Sequence, residues 1–428
     1  MTAIDENQAV ILSGGGAYGA YEVGVMKALL GGEVAGSGYR PVEPGVFTGT
    51  SVGSFNASIM VSRPGEPSGR TADLLEGLWL EEIADNAQRC GNGVFRFRGN
   101  VLRLFDPTCY ANPVSPFERL GGDIDFYTRS LFRRGLSALM GRGSLANRAL
   151  QVVDISALIS VDPFREMLRR TIRSDAIRYS DRKLRVVATN WETGEVKTFE
   201  NDDVADEEFG PQMIMASAAI PGIFPPVRIG EHVYVDGGAV MNTPLKCALQ
   251  AGATTMHVVY LDPDVSNIPL SRLMNSVDTF DRLYTIMLAT KMNEDIDTAA
   301  WINEGLTTLE KAARGGVEQL GSEEITAFIR VAAQIETRLR AGRQYNKLTI
   351  HRYHPKGDLG GPLGMLNFGQ DAITRLIARG FEDAVYHSCA ESHCIFPDTP
   401  PPPPKTDSSR PAEWVNTTNR EGNRYADR

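Results

Sequence analysis

The chain has 428 residues, of which 42% are hydrophobic and 23% charged, and its formal net charge is −9. This length and composition allow a sizeable core and exclude a fibrous or wholly disordered chain. The negative balance argues against a general nucleic-acid binder, and five scattered cysteines argue against a disulfide scaffold and for a reducing compartment.

The opening MTAIDENQAV carries neither the basic nor the apolar region of a signal peptide. The most apolar stretch, 211–229, contains Pro211, Pro221, Pro225 and Pro226, which a membrane-spanning helix would not carry. The expectation is a cytoplasmic protein that meets a membrane, where it does, from the side.

In chain order, QAVILSGGG (8–16) reads as a buried strand running into a glycine turn, and AYGAYEVGVMKALL as the helix that follows. PGVFTGTSVGSFNASIMV repeats that plan, with a strand at 46–48, a tight turn at 49–53 and a helix. The stretch from 63 to about 160 is irregular, with short helical patterns. RKLRVVATNWETGEVKTFEN reads as two strands joined by a turn at 192–194. EHVYVDGGAVMNTPLKCALQAG is a strand, a glycine turn and a helix, and ATTMHVVYLDP a further buried strand. Helical periodicity fills 270–343, with an apolar stripe between Leu273 and Leu288 that reads as core rather than lid. KLTIHRYHP is a late strand and FGQDAITRLIARGFEDAVYHSC a last helix. Strands alternating with helices predict an α/β fold with a mainly parallel central sheet. Three parts are expected: a core at 8–249, a strand and helix part at 250–396 packed on it, and a Pro-rich disordered tail at 397–428. Between Arg89 and Arg185 there are 18 Lys and Arg against 9 Asp and Glu. Arginines interleaved with Phe, Leu and Met in this insertion suit an anionic lipid surface, or else a solvated face paired with the acidic remainder.

Two glycine turns carry the chemistry. Gly14-x-Gly16-x-x-Gly19 spells a dinucleotide loop, but that reading needs an acidic strand end about 20 residues later. Glu33 lies in a Gly-rich loop instead, and the next strand ends in Thr50-Ser51. The second turn, Gly49-Thr-Ser51-Val-Gly53, is a G-x-S-x-G nucleophile elbow between a strand and a helix. With a serine nucleophile at hand, the first turn serves better as an oxyanion hole, its amides converging at a helix N-terminus. Asp236, at a strand end before Gly237 and Gly238, can reach a serine or cap the turn that follows. Among six histidines His257 is the alternative base, although it lies in an apolar strand where a core imidazole fits better. HSCAESHC (387–394) mixes His and Cys without a usual zinc spacing, so no metal and no cofactor is expected.

The ordered set GGGxxG, GTSVG and DGG, with ASAAIPGIFPPV (216–227) just upstream of the Asp, resembles the patatin-like phospholipase family. The resemblance implies a three-layer α/β/α fold and a Ser-Asp dyad that hydrolyses acyl esters of lipids. It implies Ser51 as nucleophile and Asp236 as base. Gly14, Gly15 and Gly16 would be oxyanion donors, and Gly19, Gly49, Gly53, Gly237 and Gly238 would hold the motif turns. Phospholipid or another acyl lipid would be the substrate. One position departs: many members carry Arg or Lys where this chain has Tyr18. The competing readings are a serine esterase or thioesterase with a His-containing triad, and a catalytically silent membrane-binding module. The oligomeric state is not legible in the sequence.

Overall fold

The computed structural model describes residues 3–86, 91–98, 159–261, 346–357, 359–360 and 364–397, with scattered residues inside 121–128, 296–311 and 326–335. Strands β1 (Asp5–Leu12) and β2 (Pro44–Thr50) form its centre. β2 is buried along its whole length and β1 over Ala9–Leu12, the pattern of parallel strands covered on two faces. Helices α1 (Gly19–Gly31) and α2 (Val52–Val61) follow them directly. Helix α3 (Ser68–Leu78) comes next, its first residue held by the Glu43 carboxylate, which also pairs with buried Arg182 at 2.8 Å.

After a two-stranded pair, β3 (Arg96–Phe97) with β4 (Ile159–Ser160), come α4 (Asp162–Thr171) and α5 (Ser174–Arg178). The chain re-enters the main sheet as β5 (Lys183–Asn190) and turns back as β6 (Val196–Glu200), the hairpin expected from the sequence. Helix α6 (Phe209–Ser217) precedes β7 (Val227–Ile229) and β8 (His232–Asp236). Then follow α7 (Leu245–Gln250), β9 (Thr255–Val259), β10 (Thr349–Tyr353) and α8 (Gln370–Val385).

The main sheet runs β10-β9-β1-β2-β5-β8-β7, with β6 alongside β5. Its first five strands are parallel; β6, β7 and β8 are antiparallel additions. Alternate residues of β1 enter different cores. Val10 and Leu12 pack with α1, α2 and α8, while Ala9 and Ile11 pack with α7 and Ile296. The sheet is therefore covered on both faces, as a three-layer α/β/α fold requires. Strands β9 and β10 lie beyond residue 249 yet belong to this same sheet.

Part of the basic insertion is described. Arg96 pairs with Asp123, Arg169 with Glu208, Arg170 with Glu82 and Arg185 with Glu200. Helix α4 turns Phe164, Met167 and Leu168 inward and Arg169 and Arg170 outward to Glu208 and Glu82. The segments 99–120 and 129–158, the stripe at 273–288 and the tail beyond Pro397 lie outside the described residues.

Candidate active site

The parallel register sets Leu12 of β1 beside Gly49 of β2, so both glycine turns leave the sheet at one edge. Ser51, first after β2, holds φ 55 and ψ −123, a conformation L-residues avoid. The elbow closes because its glycines lack Cβ atoms. One on Gly49 would overlap the Gly53 carbonyl, and one on Gly53 would lie 2.5 Å from Leu12 O. The strain is held by a contact not assigned from sequence. Ser51 N–H donates to Ser217 Oγ at 2.8 Å, and that hydroxyl donates to Val187 O at 2.6 Å. Ser217 thus ties the elbow to β5 from the end of α6. Replacing it with alanine leaves two buried backbone groups unpaired. Ser217→Ala is expected to lower kcat about tenfold, equivalent to ~1.4 kcal/mol, with Ser217→Thr restoring most of it in ester-hydrolysis assays.

Register also delivers Asp236. Thr50 pairs with Val187, and Ala188 pairs with Asp236 on antiparallel β8, so the carboxylate reaches the row where Ser51 emerges. Asp236 is fully buried. Its Oδ1 accepts Gly238 N–H at 2.7 Å, and Oδ2 has no hydrogen-bond partner of full geometry. Burial pushes its pKa up to about 7, against the opposing pull of hydrogen bonding from the Ser51 hydroxyl and the Gly238 amide. One oxygen thus caps the turn Gly237–Ala239, as one of the two sequence readings has it.

The first glycine turn lies against the elbow, with a Cβ on Gly14 only 3.0 Å from Ser51 Cβ. Its three amides are not equivalent. Gly14 N–H is engaged by Asn242, at 3.0 Å to Oδ1 and 3.3 Å to O, which corrects the expectation of three open donors. Gly15 and Gly16 N–H meet no acceptor among the described residues. Gly16 sits at φ 57 against the Met365 carbonyl. Tyr18, which stands where many family members have a basic residue, packs its phenol against Gly360 and Gly364. Gly16→Ala is expected to lower kcat by about 10²-fold through displacement of these donors, with KM little changed. Steady-state kinetics on a folded variant check this.

Neighbouring contacts brace the site. Thr50 Oγ1 donates to Met241 O at 2.9 Å, and Ser13 Oγ meets Thr243 Oγ1 at 2.8 Å, so loop 241–244 is stitched to both strand ends. Behind the turns, Asn56 Nδ2 donates to Glu22 Oε2 at 2.9 Å, tying α1 to α2, while Asn56 Oδ1 accepts from Trp79 Nε1 at 2.9 Å. Burial holds the Glu22 carboxyl well above the usual carboxylate range.

Ser51 and Gly16 open into a cavity. Its other walls are apolar, including Phe55, Trp79, Phe164, Ala218, Phe224 and Phe368. Met365, Leu366 and Phe368 come from the turn before α8, far from the motifs in sequence. No histidine lines it. His257 pairs with Val10, which pairs with Phe47, four residues before Ser51. Two strand spacings of about 4.8 Å and four residue rises of about 3.3 Å put it ~16 Å from Ser51. Its ring stacks on His351 at 5.1 Å, and burial pushes its pKa down to about 3. The histidine-triad reading through His257 is thereby excluded.

No curated protein matches the chain. Among solved structures, one similar chain is VipD from Legionella pneumophila, 16% identical with a TM-score of 0.30. That similarity covers 87% of this chain and 67% of that one, and the fold assignment does not rest on it. The sequence model described as Patatin-like phospholipase matches residues 10–249, more than half of the chain. That span contains both glycine turns, Ser217 and Asp236. The chain belongs to the patatin-like phospholipase family.

Proposed function

We propose that the protein is a lipid acyl hydrolase working through a Ser51–Asp236 dyad, with Gly15 and Gly16 as the oxyanion donors. The family's activity is lipid acyl hydrolysis. The observation that carries the finer reading is that a strained serine opens into an apolar cavity beside a buried carboxylate. Asp236 Oδ2 accepts the Ser51 proton as Oγ attacks the ester carbonyl carbon. The oxyanion is held by the two open amides, aided by the positive N-terminal end of α2. Asp236 returns the proton to the leaving alcohol, and water then releases the fatty acid by the same route. A carboxylate is ordinarily a weak base, but a pKa near 7 matches the task at neutral pH.

The apolar cavity is the acyl site. Ala218→Phe is expected to fill it, raising KM for long-chain esters about tenfold while sparing acetyl esters, one lost apolar contact region being worth ~1–3 kcal/mol. Equal loss on both substrates would point away from this cavity. Docking on an anionic membrane is assigned to the basic stretch as a whole. The described arginines named above are paired with acids. Binding to vesicles of anionic phospholipid that falls as salt rises would support it, and binding indifferent to charge and salt would sink it.

A further inference from the structure

We propose that His351, His387, Cys389 and Cys394 form a Cys₂His₂ site for a structural zinc ion at the outer edge of the sheet. Spacing within 387–394 did not suggest metal, because the fourth donor is on β10. His351 Nδ1, His387 Nε2 and the two sulfurs all lie within 4.8 Å of one another. Cys389 Sγ is 3.5 Å from His351 Nδ1 and 3.5 Å from His387 Nε2, and Cys394 Sγ is 3.3 Å from His387 Nε2. Donors bound tetrahedrally at 2.0–2.3 Å from one ion stand about 3.3–3.8 Å apart, so the cluster needs little adjustment.

The surroundings also suit a metal. The turn after α8 folds back on itself, with Cys394 N–H donating to Cys389 O at 2.9 Å and His393 at φ 51, which brings the two sulfurs to one side. Arg352 N–H donates to Cys394 Sγ at 3.3 Å. The second nitrogen of His387, Nδ1, contacts Ser392 Oγ at 3.4 Å, leaving Nε2 for the ion. Such outer contacts orient metal ligands and tune their basicity. Two thiolates and two neutral imidazoles neutralise a divalent cation. Four protein donors leave no open position, so the ion would be structural rather than catalytic.

Its role follows from its place. β10 is the last strand of the sheet, and Ile350 exchanges backbone hydrogen bonds with Ile395 at 2.8 and 2.9 Å. The ion would fasten this short C-terminal segment over an exposed sheet edge, which otherwise invites pairing with other chains. It lies three strands from β2, so its removal should affect stability before turnover.

The test uses the full chain, prepared without a histidine tag or chelator. Elemental analysis is expected to find one zinc per chain, lost in the Cys389→Ser, Cys394→Ser double variant. Stripped wild type titrated with Co²⁺ should show tetrahedral bands and thiolate-to-cobalt charge transfer, the latter about halved in each single variant as one of two thiolates is removed. Alkylation of the wild type gives a second measure that does not depend on a variant folding. Zinc should protect Cys389 and Cys394, and chelation should expose both and lower Tm by several degrees while leaving kcat of the folded enzyme unchanged. Wild type without zinc or a cobalt spectrum, charge transfer that survives loss of both cysteines, or a Cys389–Cys394 disulfide would overturn the proposal.

Discussion

Ser51→Ala is expected to reduce kcat/KM toward acyl esters by about 10⁴-fold or more, because the covalent route is removed entirely. The expectation is sharp because the substitution changes almost nothing else. Ser51 N–H still donates to Ser217, and the Gly49–Gly53 turn still closes. Alanine at φ 55 is as strained as serine, so the elbow neither relaxes nor tightens. The donors at Gly15 and Gly16 and the apolar cavity remain, so lipid binding should persist. Near-wild-type affinity for a non-hydrolysable lipid analogue, with background turnover and an unchanged melting temperature, is the expected combination. Substantial residual turnover would mean that another group performs the chemistry.

Asp236 carries the second large effect, and it has two signatures. As a base it works only when ionised. With a pKa of about 7, activity should rise about tenfold per pH unit below neutrality and level off above it. Asp236→Asn should lose about 10²–10⁴-fold and the pH dependence with it. The stability signature has the opposite direction. Because burial raises the folded-state pKa, ionisation is disfavoured in the fold relative to the unfolded chain, whose Asp titrates near ~3.9. Below about pH 4 both states hold the proton and nothing differs. Between about pH 4 and 7 the folded state keeps a proton that the unfolded state has lost, so stability falls as pH rises. Asparagine carries no such penalty. The variant should therefore gain in melting temperature over wild type at pH 8 relative to their difference at pH 4. A variant with no gain at pH 8 would show that the carboxylate is not held against its ionisation.

What the sequence made legible was local. The strand–glycine–helix pattern appears twice, at β1–α1 and β2–α2, because both turns depend on glycines whose reason lies within a few residues. The hairpin β5–β6 was legible for the same reason. Ser217 was visible only as part of a family-like segment. Its role depends on the Val187 carbonyl, 30 residues away, and on the elbow 166 residues away. Asn242 took up the Gly14 amide through a loop whose path no periodicity encodes. The cavity wall at Met365 and Phe368 arrives from a turn that packs on the first glycine loop only in three dimensions. The basic stretch shows the reverse difficulty. Its arginines look free in sequence, and Arg169 and Arg170 of α4 find acids outside their own helix once folded.

The most direct test is the rate and position of fluorophosphonate labelling, mapped by peptide mass spectrometry across pH in wild type and Asp236→Asn. The expected result is modification of Ser51 alone, at a rate that climbs to a plateau with a midpoint near the Asp236 pKa of about 7. In a folded Asp236→Asn protein that labelling should nearly vanish at every pH. Labelling at another residue, or Ser51 labelling that is equally fast and equally pH-dependent without Asp236, would contradict the dyad.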